Sequence, residues 1–231
     1  MNILINGASR GIGKETALHL AKNKDNRIII TGRRENALKK NSLASEHKNI
    51  SYIILDLCRL DLQKESFKNE VSSRFDYVDI LINNAGSLVS KKFADSAEDD
   101  IRLMMETNFF APASLIRILL PLFRRGSHIV NISSMGGFQG SEKFPGLSYY
   151  SASKAALACL SECLAMEFRE LGISVNCLAL GSVQTEMLEE AFPGYTAPVS
   201  AADMGEFIGD FALTGHKYFN GKILPVALAT P

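Results

Sequence analysis

The sequence predicts an α/β protein built on a doubly wound parallel sheet, and three observations carry that prediction. Short runs rich in Ile, Leu and Val alternate with longer segments of helical periodicity along the whole chain. Most of those runs are continuously apolar, as parallel strands covered on both faces should be. A glycine-rich turn follows the first strand and opens the first helix. The expected architecture is a seven-stranded parallel sheet with helices on both faces, three α/β/α layers in all, in a single domain over 1–231.

Strands are expected at 2–6, 27–31, 50–55, 78–82, 128–132, 173–180 and 222–226, with helices at 13–24, 35–46, 62–75, 97–124, 149–171 and 201–213. In the first helix Ile12, Thr16, Ala17, Leu20 and Ala21 fall on one face. The fifth is expected to stop at Gly172, the usual residue just past a helix end. No Pro/Gly/Ser linker, repeat or low-complexity tract interrupts the pattern.

Lys+Arg and Asp+Glu both number 25, so the formal net charge is zero and nothing points to nucleic acid or an anionic membrane surface as partner. No uninterrupted apolar run approaches the roughly 18–20 residues of a membrane helix, and the first residues lack the pattern of a signal peptide. The four cysteines, Cys58, Cys159, Cys163 and Cys177, show no C-x-x-C spacing and are expected to be reduced and buried, in a cytoplasmic protein. His19, His47, His128 and His216 are scattered, so no metal site is expected.

The early turn reads Asn6-Gly7-Ala8-Ser9-Arg10-Gly11-Ile12-Gly13. Glycine suits a sharp turn, a backbone pressed against a pyrophosphate and a helix packed close to a strand. The N–H groups at the helix start would hold the anion. The plain alternative is a βα turn that happens to be glycine-rich.

Tyr150 and Lys154 are four apart in a helical segment and share a face. A phenol is a proton donor for a developing alkoxide, but its ordinary pKa of about 10 is too high for exchange near neutrality. A nearby ammonium is expected to lower it. A second such pair, Tyr218 and Lys222, spans an Asn-Gly turn and would not share a helix face. Ser134 lies just past the fifth strand, at the carboxyl edge where open α/β sheets bind ligands; the plain alternative is a serine bonding its own turn.

The spacing Gly7-x-x-x-Gly11-x-Gly13, the segment Asn83-Asn84-Ala85-Gly86 and the pair Tyr150-x-x-x-Lys154, in that order, resemble the short-chain dehydrogenase/reductase family, and within it 3-oxoacyl-carrier-protein reductases. The resemblance covers almost the whole chain and implies a Rossmann-like fold and a nicotinamide cofactor bound by Gly7, Ser9, Arg10, Gly11, Ile12 and Gly13. It also implies that Asp56 meets the adenine amino group, with capping of the next turn as the structural alternative, and that Leu57 packs on the ring. Asn83, Ala85 and Gly86 would line the adenosine side, with Asn83 also able to stabilise the central sheet, while Val183 and Thr185 would meet the nicotinamide carboxamide. Lys154 would bond the nicotinamide ribose, Ser134 would hold the substrate oxygen beside Tyr150, and Asn108 would kink its helix and hold a water leading to the lysine. Two departures stand out: Leu180 replaces a proline before Gly181, and Asn6 replaces a threonine.

The second strand ends in Thr31-Gly32-Arg33-Arg34, without the acid that NAD-selective sites use. Arg33, Arg34 and Arg10 would suit a 2′-phosphate, with solvation of a helix start as the plain alternative for Arg34, so NADP is the expected cofactor. Met187, Leu188, Phe192 and Tyr195 in a lid over 186–199, facing Met135, Phe138, Phe144 and Leu147, read as an apolar pocket for a small hydrophobic ketone, aldehyde or alcohol, or equally as residues that simply pack the lid on the domain. Arg124-Arg125 and Lys91-Lys92 are candidate docking points for a carrier protein, or simply solvated surface. The family's habit of pairing through its fourth and fifth helices implies a homodimer or homotetramer. A non-catalytic dinucleotide sensor is the rival reading, opposed by the joint presence of Asn108, Ser134, Tyr150 and Lys154. An extended-branch sugar-nucleotide epimerase is disfavoured by the glycine spacing and the short C-terminal region.

Overall fold

The computed structural model describes residues 1–228; the last three residues of the expected 1–231 unit lie outside the described residues. Seven parallel strands form one sheet in the order β3-β2-β1-β4-β5-β6-β9: β1 Asn2–Asn6, β2 Arg27–Gly32, β3 Ile50–Ile54, β4 Val78–Asn83, β5 Phe123–Ser134, β6 Ser174–Leu180 and β9 Ile223–Val226. The order reverses between β1 and β4, which opens the crevice used by ligands in such sheets. A small parallel pair, β7 Val183–Gln184 with β8 Val199–Ser200, was not anticipated and fastens the two ends of the expected lid.

The continuous apolar runs arise because successive residues serve opposite faces. Ile3, Ile5, Ile28, Ile30, Ile80 and Ile82 enter one core, whereas Leu4, Ile29, Leu81 and Ile129 enter the other. The first core is covered by α1 Gly11–Ala21 and α8 Ala201–Thr214. The second is covered by α3 Leu60–Ser72, α5 Ala111–Leu119 and α6 Ser148–Glu167. The remaining helices are α2 Glu35–Leu43, α4 Glu98–Met105 and α7 Glu186–Ala191.

Three boundaries differ most from expectation. The helix expected over 97–124 is α4 and α5 joined by a π-helical turn, Glu106–Phe110, and β5 starts at Phe123, before the segment expected to be strand. From Glu98 to Leu122 this continuous helix is long and apolar enough to cross a membrane by length and composition, which the uninterrupted-run criterion overlooked. Here Ala111, Leu115, Ile116 and Leu119 are buried against the sheet. Finally, α6 ends at Glu167 instead of Gly172. Buried Phe168 turns the chain inward, its carbonyl accepts from Ile173 N, and Gly172 (φ +69°) completes the turn into β6.

The cysteine expectation is corrected as well: only Cys177 is buried, while Cys58, Cys159 and Cys163 are exposed.

Candidate active site

The glycine turn is fixed from three sides. Gly7 N and Ala8 N both donate to Thr31 O at 3.0 Å. Asn84 Nδ2 donates to Gly7 O at 2.9 Å, and Asn41 Nδ2 on α2 donates to Ala8 O at 2.9 Å and to Ser9 O. Gly7 has φ +74°, and a Cβ there would stand 2.5 Å from Ala85 Cα, so only glycine fits. A Cβ on Gly13 would lie 2.5 Å from Gly7 O, which explains how closely α1 approaches the turn. At the start of α1, Arg10 makes no side-chain cap and the first turn holds no acidic residue. The helix-start N–H groups are thus left for an anion, and the cradle fits a nucleotide pyrophosphate.

Along the sheet's carboxyl edge runs a chain of buried amides. Asn6 Nδ2 donates to Asn83 Oδ1 (2.5 Å), Asn83 Nδ2 to Asn131 Oδ1 (2.8 Å), and Asn131 Nδ2 to Ser161 Oγ (2.8 Å). Asn6 Oδ1 also accepts from Ala85 N at 2.8 Å. The departure at Asn6 is therefore a working part of the ladder, which ties β1, β4, β5 and α6 together beneath the site. Asp56 accepts from Cys58 N and so caps its own turn, the structural alternative for that residue, and Leu57 is buried. Arg33 and Arg34 are exposed at the end of β2.

At the other end, Tyr150 and Lys154 share one face of α6 as expected. Lys154 is 3% exposed, and its Nζ donates to Ile132 O at 2.8 Å, with further donor capacity free for a ribose. Burial holds the ammonium down to a pKa of about 8, against a smaller opposing pull from Cys177. The expected lowering of the Tyr150 pKa is not what the geometry produces: burial raises it, and only the hydrogen bond with Ser134 works the other way. Desolvation of a phenolate outweighs one hydrogen bond.

The two neighbouring serines divide their roles. Ser133 Oγ is buried and donates to Lys154 O at 2.9 Å, whereas half-buried Ser134 accepts from Gly136 N at 3.2 Å and faces Tyr150. Asn108 is fully buried at the centre of the π turn, with its Oδ1 accepting from Ser87 N at 2.8 Å. Its Nδ2 donates to Ser87 O and to Ser153 Oγ, both at 2.9 Å. Ser153 in turn donates to Tyr150 O at 2.7 Å. Asn108 thus pins the segment after Gly86 to α6, and a Cβ at Gly86 would sit 3.4 Å from Lys154 Nζ.

Ser87, Ser153, Asn41 and the Ile132 carbonyl were not singled out from sequence. A Ser three residues past Tyr150, on its own helix, was the one local signal available. The second pair behaves as expected: Tyr218 and Lys222 flank a turn in which Gly221 has φ +68°. Leu180 pairs with both Ser134 and Val226, so β6 continues where the family pattern has proline. Val183 is buried and Thr185 Oγ1 accepts from Leu188 N, capping α7.

Around the expected pocket, Met135 is buried and Met187, Leu188, Phe192, Phe138 and Leu147 are half-buried, but Phe144 and Tyr195 are exposed. The segment from Phe138 to Leu147 folds on itself through Ser141 Oγ to Met135 O (2.5 Å) and Lys143 Nζ to Phe138 O (2.6 Å). Two expected docking cations are engaged internally: Arg124 pairs with Asp79 and lies over Tyr77, and Lys91 pairs with Asp100 at 2.6 Å.

The fold and this arrangement define a dinucleotide-binding α/β domain with a Tyr–Lys pair at the sheet's carboxyl edge. The family model for short chain dehydrogenase matches residues 1–196, and the chain belongs to the short-chain dehydrogenase/reductase family of oxidoreductases. It is 35% identical over 206 residues to dehydrogenase/reductase SDR family member 7B of Danio rerio, covering 83% of this chain and 64% of that one. It is 32% identical to an NADP-dependent 3-hydroxy acid dehydrogenase of Schizosaccharomyces pombe, covering 92% and 86%. The chain spans about three fifths of the length of several relatives it matches. Among solved structures, ElxO with NADP bound superposes with TM-score 0.83 at 29% identity over 98% of this chain and 96% of that one. A glucose/ribitol dehydrogenase from Brucella melitensis, at TM-score 0.88 and 20% identity over 100% and 96% of the two chains, shares the fold.

Proposed function

We propose that this protein is an NADP(H)-dependent carbonyl reductase, working reversibly on a secondary alcohol, with a small hydrophobic ketone or aldehyde as substrate and a 3-oxoacyl thioester as the specific candidate. The observation that carries the reading is the convergence of Tyr150, Ser134 and Lys154 at the sheet's carboxyl edge, braced by Asn108. The nicotinamide supplies the hydride. Ser134 holds the carbonyl oxygen and steadies its charge as it becomes alkoxide, and Tyr150 delivers its phenolic proton to that oxygen. The Lys154 ammonium would bond the nicotinamide ribose, and the Ser134 hydrogen bond is what works against the burial that raises the phenol's pKa. Val183 and Thr185 orient the carboxamide.

Arg10, Arg33 and Arg34, with no acid at the end of β2, support a 2′-phosphate over a free ribose hydroxyl. The NADP-dependent relative and the NADP-bound neighbour favour the same cofactor. The half-buried Met187, Leu188 and Phe192 favour an apolar substrate. An exposed groove lined by Ile101, Leu103, Met105 and Phe110, with Asp99, Arg102 and Glu106 at it, together with exposed Met166 on α6, suits a homodimer or homotetramer.

The test is NADPH consumption against a panel of ketones, aldehydes and a 3-oxoacyl thioester, with Tyr150→Phe alongside. Consumption should fall by roughly 10²–10⁴-fold in the variant while NADPH binding changes less than about twofold. Unchanged turnover in Tyr150→Phe would overturn the proton-transfer role. NADPH binding without consumption of any carbonyl would favour a sensing protein instead.

A further inference from the structure

Arg10 stands at the start of α1 but sends its side chain across the crevice to α7. Both terminal nitrogens of its guanidinium donate to the carboxylate of Glu190, Nη2 to Oε2 at 2.9 Å and Nη1 to Oε1. Glu190 also feels the charge of Arg34, and Arg10 that of Glu186. Helix α7 carries Glu186, Glu189 and Glu190, so an acidic helix is laid against the basic rim of the glycine turn.

A phosphate dianion presents to a guanidinium the same pair of oxygens that a carboxylate does. Two such anions cannot hold the same face of one guanidinium, and their mutual repulsion disfavours sharing. Glu190 therefore sits where a 2′-phosphate would have to bind if Arg10 is to receive it. The opposite end of α7 is capped by Thr185, beside the expected nicotinamide contacts. That end also faces the glycine turn, since a Cβ at Gly11 would lie 3.5 Å from Glu186 Oε2 and 3.6 Å from Thr185 Cγ2.

We propose that Glu190 is a built-in competitor for the 2′-phosphate at Arg10, so that a 2′-phosphorylated nucleotide must release α7 from the glycine turn and an unphosphorylated one need not. This inference rests on the NADP(H) reading. It makes Glu190 a specificity-determining residue that weakens NADP(H) binding and couples its arrival to the position of the lid.

The experiment titrates purified wild type, Glu190→Gln and Arg10→Ala with NADPH, NADH, 2′,5′-ADP and 5′-AMP by fluorescence or calorimetry. Hydrogen exchange of the 186–192 amides is followed in parallel. Glu190→Gln should tighten NADPH and 2′,5′-ADP about two- to fivefold, the range expected for releasing a largely exposed ion pair, and leave NADH and 5′-AMP unchanged. In wild type, 2′,5′-ADP but not 5′-AMP should speed exchange over 186–192, and in Glu190→Gln that exchange should be fast from the outset. The proposal is overturned if Arg10→Ala weakens 2′,5′-ADP while Glu190→Gln fails to tighten it. If Arg10→Ala leaves 2′,5′-ADP binding unchanged, the phosphate role of Arg10 itself fails and the competition falls with it.

Discussion

Beneath Tyr150, each supporting group is buried and hydrogen-bonded: Asn108 makes three hydrogen bonds, Ser133 holds the Lys154 carbonyl, and the amide ladder crosses three strands from Asn6 to Asn131. At the cofactor rim the side chains of Arg10 and Glu190 are 29% and 62% exposed, and the pair ties α7 to the glycine turn. Buried amides without partners are expensive, so the floor has one arrangement. An exposed ion pair is worth little, so the rim can exchange partners. Chemistry that needs a fixed proton donor lies on the first kind of support, and nucleotide entry on the second.

The sharpest way to break this contrast is to cut the ladder. Asn83→Leu orphans Asn6 Nδ2 and Asn131 Oδ1 in the interior, and the expected loss is about 4 kcal/mol of unfolding free energy. Urea denaturation measures it; a loss below about 1 kcal/mol would show that the ladder is not a rigid floor.

A second test probes the buried end through acid. His128 is fully buried, bonded to Ala212 O and Asn176, and burial lowers its pKa to about 4. Between the ordinary value of 6.5 and 4, the unfolded chain binds a proton that the folded chain refuses, so stability falls as pH drops through that window. The full effect is roughly 3 kcal/mol, and burial of the His216 ring pushes in the same direction. Replacing His128 by Gln should flatten the slope of unfolding free energy against pH between those limits. An identical slope in the variant would remove His128 from the account.

Lys154 offers a functional counterpart. Its ammonium, held near pKa 8, loses its proton as pH rises, so kcat/KM for the cofactor should turn down above about pH 8 and fall tenfold per unit beyond. A profile flat to pH 9.5 would mean that the charge of Lys154 is not needed.

The same contrast explains what could be read from sequence. Strand positions were legible because both faces of the sheet are buried, which leaves unbroken Ile/Leu/Val runs such as Ile28-Ile29-Ile30. At Asn108 the family resemblance implied a kink, but its π form was not legible from the residues, because one extra residue in a helical turn barely alters apolar spacing across 97–124. The early start of β5 was hidden in Phe123-Arg124-Arg125-Gly126, which has no apolar run. Tyr150, Lys154 and Ser134 were legible from local spacing and from their place at a strand end. Ser87, Ser153 and the Ile132 carbonyl were not, since each acts by a contact that only the fold creates. Arg10 and Glu190 are 180 residues apart, and no local pattern announces their pairing.

The smallest expected effect is the most discriminating for the rim. If the Arg10–Glu190 pair is a replaceable tie, Glu190→Gln should leave global stability nearly unchanged, because the pair is largely exposed and solvent supplies both groups on its loss. Added salt should erase even that difference, since screening acts fully on exposed charges and weakly on buried ones. The Asn83→Leu loss, by contrast, should be unaffected by salt, because no charge is involved. Unfolding curves of both variants at low and high ionic strength make the comparison in one experiment. A salt-independent loss in Glu190→Gln as large as that in Asn83→Leu would mean that α7 is part of the floor, and that a nucleotide enters without moving it.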